Sequence, residues 1–453
     1  MKRLVRHGIA VIGIAALAFT GCIEIMGAIA GGINNGLDSL AQVGRSSPSA
    51  QDQAPAQVEE LGPLAEKLAW LNANAESNGN YIIEVNADES IASQELSYSG
   101  RNNIAITLIG VGSNRTISLS SGGTIFTVGS GVILTLDDNI TIRGGIQVNS
   151  GGSLIINKGT TITGSGGSGV SVSNEGAFTM NGGTISDNYW GGVFVDGSSG
   201  TFTMNGGTIS GNKFGGVQVQ RGGTFTMTDG TISGNNYSSA IAIGLDGVEF
   251  GGGVCINNGV FTMSGGTISG NTARSGGGIS VGGTFTMNGG TISGNTATNN
   301  GGGGVSISVS NGTFTMNGGT ISGNTASGSY GYGGGVSYSF GNFIMTGGTI
   351  SGNTASIRGG GVWMAVDVRL RSYGPADFSF LKTGGTIYGY SASDPANSNV
   401  VKNSSGAVQN NMGHAVYVDG NPVRRRESTA GPGVNLSYDA NRNPFSISGA
   451  WDN

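Results

Sequence analysis

Hydrophobic and polar residues alternate in short, regularly spaced runs over most of this chain. From Ala177 onward a twelve-residue unit, TFTMNGGTISGN or a close variant, begins at Ala177, Thr201, Thr224, Val260, Thr284, Thr313, Asn342 and Ser379. The intervals are 24, 23, 36, 24, 29, 29 and 37 residues, and the last copy is degenerate, with Tyr390 in place of the terminal Asn. In the copy at Thr284, Phe285-Thr286-Met287 alternates apolar, polar, apolar. Asn288-Gly289-Gly290 makes a turn and Thr291-Ile292-Ser293 follows in the opposite phase. A glycine-rich segment then leads to a third strand of the Val-Ser-Ile kind, as at Gly302 to Val305.

Strands this short cannot stand alone. Three of them per turn, stacked ~4.8 Å apart, form a three-sided parallel coil, because period-two alternation sends Phe, Met, Ile and the two aliphatics of the third strand to one side. Earlier segments carry the same rhythm with less identity. Val132 to Val148 and Leu154 to Val172 each read as one coil, and Ile104 to Val128 as another. The expected fold is all-β: a right-handed single-stranded parallel β-helix of about eleven coils, ~50 Å long.

The ends follow a different pattern. Leu61, Leu64, Leu68 and Leu71 recur at helical spacing beside Trp70, which predicts a short helix covering the first coil, where open strand edges need a cap. Residues 22–60 are rich in Gly, Ser, Ala, Gln and Pro and read as a flexible tether. The expected organisation is a signal segment at 1–21, the tether at 22–60, an N-terminal cap at 61–103, the β-helix at 104–430 and a C-terminal cap at 431–453.

Lys2, Arg3 and Arg6 precede an apolar run from Gly8 to Phe19. That run is too short to span ~30 Å of hydrocarbon and suits a secretory signal. It ends in Phe19-Thr20-Gly21-Cys22, which resembles the bacterial lipobox with Phe in place of the usual Leu. The resemblance implies cleavage before Cys22, lipidation of Cys22 and attachment to a membrane of the cell envelope, with the outer membrane or cell surface as the expected location.

Removing the three basic residues changes the balance from 21 − 26 = −5 to 18 − 26 = −8. That excess of acid opposes nucleic-acid binding, which needs a basic patch. With Cys22 acylated, Cys255 is the only thiol left, so no intrachain disulfide framework is available. His414 is then the single histidine, which argues against histidine metal clusters and a Ser-His-Asp triad.

Asn188, Asn212, Asn235, Asn271, Asn295, Asn324 and Asn353 share one repeat position. Asn tolerates left-handed geometry, and stacked amides bond to one another, so an internal asparagine ladder is expected. Calcium turns of the GGxGxD kind are absent. The column from Met180 to Met345 shares the inward phase of Phe and reads as core rather than as a copper site. No metal or other cofactor is expected. The outward Thr-x-Thr pairs, such as Thr201-Phe202-Thr203, suit an ice-binding array but are interrupted at Ala177, Val260, Asn342 and Ile344. Threonine ladders on an exposed strand are the plainer reading.

Ile209-Ser210-Gly211-Asn212 followed by Gly215-Gly216-Val217 resembles the FxxN and GGA(I/L/V) repeats of chlamydial polymorphic outer-membrane proteins, with Ile in place of Phe. With Arg115 to Leu119 and Leu134 to Asp137, the chain looks more like repetitive spirochaete-type surface lipoproteins. No run of long alternating strands at the C-terminus resembles an autotransporter barrel, so the acyl group is expected to hold the protein at the membrane.

Some β-helix proteins are polysaccharide lyases or hydrolases, which cluster carboxylates on one face. Here Asp187, Asp196, Asp229, Asp246, Glu249, Asp367 and Asp377 fall at different repeat positions. The favoured expectation is therefore a non-catalytic adhesin or interaction scaffold, with a carbohydrate-active enzyme and a passive surface coat as alternatives. Val362 to Arg371 is a ten-residue alternating run that sets Trp363, Asp367, Arg369 and Arg371 on one face, with Tyr417 at the matching position of the next coil. This set is the candidate solvent-facing patch for a glycan or a host or neighbouring-cell protein. An edge strand from a loop insertion is the plain alternative. Cys255, between Val254 and Ile256 and in the slot of Ser280 and Ser306, is expected to face solvent.

Overall fold

The described residues form a right-handed parallel β-helix of twelve coils. The structure, a computed structural model, describes residues 56–57, 62–120, 123–237, 251–309, 311–365, 378–419, 423–431, 437–439, 446–448 and 451–452. Each coil carries the three expected strands. The second strands, from Glu89–Ile91 to Thr386–Ile387, make a twelve-stranded sheet. The first and third strands share a 24-stranded sheet, because Val254–Met263 and Ile279–Met287 run unbroken from the third strand of one coil into the first strand of the next.

Among the described residues, a further short strand occurs only in the last six coils: Asn236–Tyr237, Thr272–Ala273, Thr296–Ala297, Thr325–Ala326, Thr354–Ala355 and Val400–Val401. The coils that have it also have longer corners. Four residues separate Asn188 from Val193 and Asn212 from Val217, whereas seven or more separate the corresponding Asn and aliphatic residue from Asn271 onward.

The register is in step with the repeat. Phe178 pairs with Phe202, Phe202 with Phe225, and Ile185 with Ile209. Strand spacing therefore sets the distance between identical side chains. Eight phenylalanines from Phe178 to Phe380 stack with centroids 4.5–5.2 Å apart and planes 4–11° from parallel. Free rings prefer offset or edge-on contacts, so the coil rise rather than ring preference imposes this geometry. The methionine column is buried beside it, as alternation requires. It ends at Lys382, which pairs with Met345 and donates from Nζ to the Gly385 and Gly431 carbonyls. Burial pushes the Lys382 ammonium down from its usual range.

The asparagine ladder is internal and continuous. The backbone N–H and Nδ2 of Asn295 both donate to Asn324 Oδ1, at 3.0 and 2.9 Å, while Nδ2 also donates to the Ile268 carbonyl at 2.9 Å. Two details differ from the sequence-based expectation. The left-handed residue is not the Asn but the one before it: Gly211 at φ 66°, Gly294 at 63°, and Asp187 at 57°. The ladder also does not stop where Tyr390 replaces its Asn. Asn399 takes the Asn353 N–H and Nδ2, so the corner insertion between Tyr388 and Val400 restores the missing amide.

The glycine before the third-strand aliphatic in the coils from Gly192 to Gly361 has a packing reason. A Cβ on Gly278 would lie 2.6 Å from the Gly304 carbonyl oxygen and 3.0 Å from Asn295 Nδ2, so only glycine lets the corner close against the ladder.

Helix Leu64–Asn74 sits at the N-terminal end with Leu64, Leu68 and Leu71 buried, and Leu64 N–H donates to the Glu89 carboxylate. Leu61 lies outside the described residues. The stack begins earlier than expected. Asn80–Val85, Glu89–Ile91 and Gln94–Leu96 form a complete first coil within the segment expected to be a cap, since their alternation is as regular as that of later coils. Ala56–Gln57 pairs with Tyr81 and Ile82 inside the segment expected to be a tether. At the C-terminal end, Arg424–Arg426 pairs antiparallel with Val416–Asp419 and closes the last third-strand edge.

Candidate functional site

The outer slot of the third strand is one continuous column. Pairing runs Gln147, Ser171, Phe194, Gln218, Cys255, Ser280, Ser306, Ser337, Trp363 and Tyr417. Alternation thus placed Cys255 and Trp363 on the correct side of the strand, and Trp363 and Tyr417 are matched neighbours as the sequence implied.

Outward is not exposed, however. Gln147, Ser171, Phe194 and Gln218 are half-buried, whereas Cys255, Ser280, Ser306 and Ser337 are buried. The long corners of the later coils fold back over the strand. Ser275, from one corner, donates to Ser306 Oγ and to the Gly301 carbonyl. A Cβ on Gly251 would fall 2.2 Å from the Val254 carbonyl oxygen, which shows how closely that corner overlies the strand. Burial pushes the Cys255 thiol up to about 12, against a smaller opposing effect of a hydrogen bond with the Gly251 backbone. The expected solvent-facing thiol is therefore corrected to a covered one.

The expected patch needs the same correction. Trp363 and Tyr417 retain only 7% and 6% of their exposure. Tyr332, from the corner between Asn324 and Val336, stacks on Trp363 with centroids 4.5 Å apart and planes 14° from parallel. Arg358 lies over the Tyr417 ring at 5.0 Å and pairs with Asp419 at 2.8 Å. Burial raises the Tyr417 phenol, partly offset by that guanidinium. Val362–Ala365 is the described part of the long run. Asp367, Arg369 and Arg371 lie outside the described residues, as does Cys22.

A group that sequence reasoning missed sits where corners are short. Tyr189 and Trp190 are 48% and 58% exposed, the latter the highest value among the large apolar side chains described. Trp190 stacks on Phe214 at 5.6 Å and 22°, Tyr189 packs on Phe214 at 5.4 Å, and Phe214 meets Tyr237 edge-on at 5.5 Å. Lys213 Nζ lies 5.3 Å from the Tyr189 centroid. The signal was available: Tyr189-Trp190 and Lys213-Phe214 occupy the two residues between the ladder Asn and the first corner glycine, in the two copies with four-residue corners. Two residues cannot fold back over the strand, so bulky side chains there project outward.

These corners lie within the part of the chain for which a known family exists. Residues 125–286 match the family described as "Right handed beta helix region". That similarity covers coils with both corner types. No curated protein and no solved structure matches the chain.

Proposed function

We propose that this protein is a non-catalytic interaction scaffold of the bacterial cell envelope, lipid-anchored at Cys22 and acting as an adhesin. The observation that carries the reading is the pair Tyr189 and Trp190, two adjacent aromatic rings held open to solvent on a rigid, charge-poor rod. Exposed aromatics on a preformed framework are typical anchors for a ligand, because they offer contact area at little entropic cost.

Several carboxylates have structural partners, which supports a scaffold over a hydrolase. Asp196 pairs with Arg221, Asp419 with Arg358 and Asp452 with Arg426, while Glu427 accepts the Gly413 and His414 amides. Anchoring rests on the lipobox-like Phe19-Thr20-Gly21-Cys22 and on the likeness of the repeat to surface lipoproteins.

The test is fractionation of cells carrying the full-length gene. Wild type is expected in the detergent phase with an acylated N-terminus by mass spectrometry, and Cys22→Ser in the aqueous phase. Identical partitioning without an acyl group would end the envelope-anchor reading.

A further inference from the structure

The second sheet carries a regular hydroxyl surface that the first sheet lacks. On the first strands the outward Thr-x-Thr pairs are broken at Ala177, Val260, Asn342 and Ile344. On the second strands one column is threonine throughout. It pairs in turn from Thr116 through Thr208 and Thr291 to Thr386, eleven coils with no register shift. Beside it, from Thr163 to Ser322, a second outward column holds Thr or Ser in every coil. Arg143 bounds that column at one end and the buried Ser351 at the other.

Between Thr161 and Ser322 both columns are half-buried rather than covered, and neither holds a charged or aromatic residue. Among the described residues, none of their side-chain hydroxyls has a hydrogen-bond partner in the protein. The edge beyond the second column is open. A Cβ on Gly234 would meet nothing within 4 Å, and one on Gly294 only the Gly270 amide nitrogen at 3.9 Å.

The coil rise explains why these hydroxyls are unpaired. Successive coils are ~4.8 Å apart. The phenylalanine centroids of the same coils, from Phe178 to Phe314, lie 4.5–5.0 Å apart. An O–H···O bond needs ~2.7–2.8 Å, so hydroxyls one coil apart cannot reach each other. One water can bridge each neighbouring pair. Waters joined at that length in a tetrahedral lattice have second-neighbour oxygens ~4.5 Å apart, which is the repeat along a row in hexagonal ice.

Area and charge select the occupant. Two columns over seven coils span ~29 Å by ~7 Å. That footprint is far below the ~800 Å² per partner of a specific protein interface, and it has no apolar centre. A sugar chain would call for aromatic faces and an anion for basic side chains, and these columns offer neither. What they offer is a fixed repeat, which only a ligand of matching period can use at every rung.

We infer that the second-sheet face between Thr161 and Ser322 binds ice through rows of water held at the coil spacing. The inference does not rest on lipid anchoring or on the exposed Tyr189 and Trp190.

The experiment is nanolitre osmometry with the purified full-length protein, watching single ice crystals. Wild type is expected to facet the crystals and hold them without growth just below their melting point. Thr267→Tyr raises a ring in mid-column and should require at least ~tenfold more protein for the same effect. Ser293→Lys, which sets a charge in the second column, should do likewise. Thr286→Tyr, outward on the first sheet, should match wild type. Circular dichroism checks that each variant is folded. Round, freely growing crystals with wild type would overturn the assignment. So would wild-type activity in folded Thr267→Tyr and Ser293→Lys, or an equal loss in Thr286→Tyr. Round crystals together with a wild-type dimer that Thr267→Tyr dissociates would give the face to a second copy of the chain instead.

Discussion

The coils around Asn188 and Asn212 and the coils from Asn235 to Asn399 share one interior and differ at one corner. In both sets the Phe and Ile columns and the amide ladder repeat in register, as does the Met column up to Lys382 in the last coil. In the first set the corner has four residues and the third strand's outer slot is half-open, holding Phe194 and Gln218. In the second it has seven or more, adds a short strand, and buries Cys255, Ser280, Ser306, Ser337, Trp363 and Tyr417. Strand alternation thus decides which side of the sheet a residue occupies, and corner length decides whether that side meets water. The fold is held by what is constant, and its surface chemistry is set by what varies.

The largest effect is expected from the constant part. Asn295 is fully buried in mid-ladder. Asn295→Leu would leave the Asn271 N–H without its acceptor, take one of two acceptors from Asn271 Nδ2, and remove the Nδ2 donor from Asn324 Oδ1, which keeps the backbone N–H of residue 295, and from the Ile268 carbonyl. At ~1 kcal/mol for each lost hydrogen bond and ~1–3 kcal/mol for the stranded N–H, the loss should be about 4 kcal/mol. Urea denaturation measures it, and a loss below ~1 kcal/mol would show that the ladder is incidental to stability.

The second prediction sets the two corners against each other. Trp363→Ala removes a ring packed beneath Tyr332 and should cost about 3 kcal/mol. Trp190→Ala removes an exposed ring and should cost no more than ~0.5 kcal/mol. Equal costs in thermal or urea unfolding would remove the distinction between covered and open corners.

A smaller effect concerns the last corner. His414 is buried, its Nδ1 accepts the Val401 N–H at 3.1 Å, and Nε2 lies 3.6 Å from Glu427. Burial lowers the imidazole below its usual 6.5, with Glu427 opposing in part. The fold therefore favours the neutral ring. Its contribution is fully present above pH 6.5 and is lost as pH falls from there toward the folded-state value, because only the unfolded chain takes up the proton. His414→Asn, which keeps an acceptor but cannot titrate, should flatten the urea midpoint over that window. An unchanged slope would place the acid sensitivity elsewhere.

Much of the interior was legible because its causes are local and repeated. Phe285, Met287 and Ile292 announce their direction by alternation, and Asn295 its stacking by recurrence. The covered patch was not legible by that logic, since the ring over Trp363 comes from Tyr332, thirty-one residues earlier in sequence and one coil away in space. Asn399 was hidden for a related reason: the ladder requires an amide at a place in space, and an insertion moved its place in the sequence. Tyr189 and Trp190 escape a reading based on strand alternation, because they belong to no strand and stand out only through the shortness of their corner.

Thiol reactivity at two positions of the same outer column tests corner control most directly. Gln218 and Cys255 are paired neighbours, one in a coil whose corner has four residues and the other in a coil whose corner is longer and where Gly251 lies against the strand. Cys255 in the native protein should react with a bulky maleimide at least ~100-fold more slowly than Gln218→Cys placed in a Cys255→Ser background, since a thiol that is both covered and raised in pKa offers little thiolate. Both should react alike in urea. Equal native rates would mean that the corners do not cover the strand, and the division of the rod into open and closed coils would fall with them.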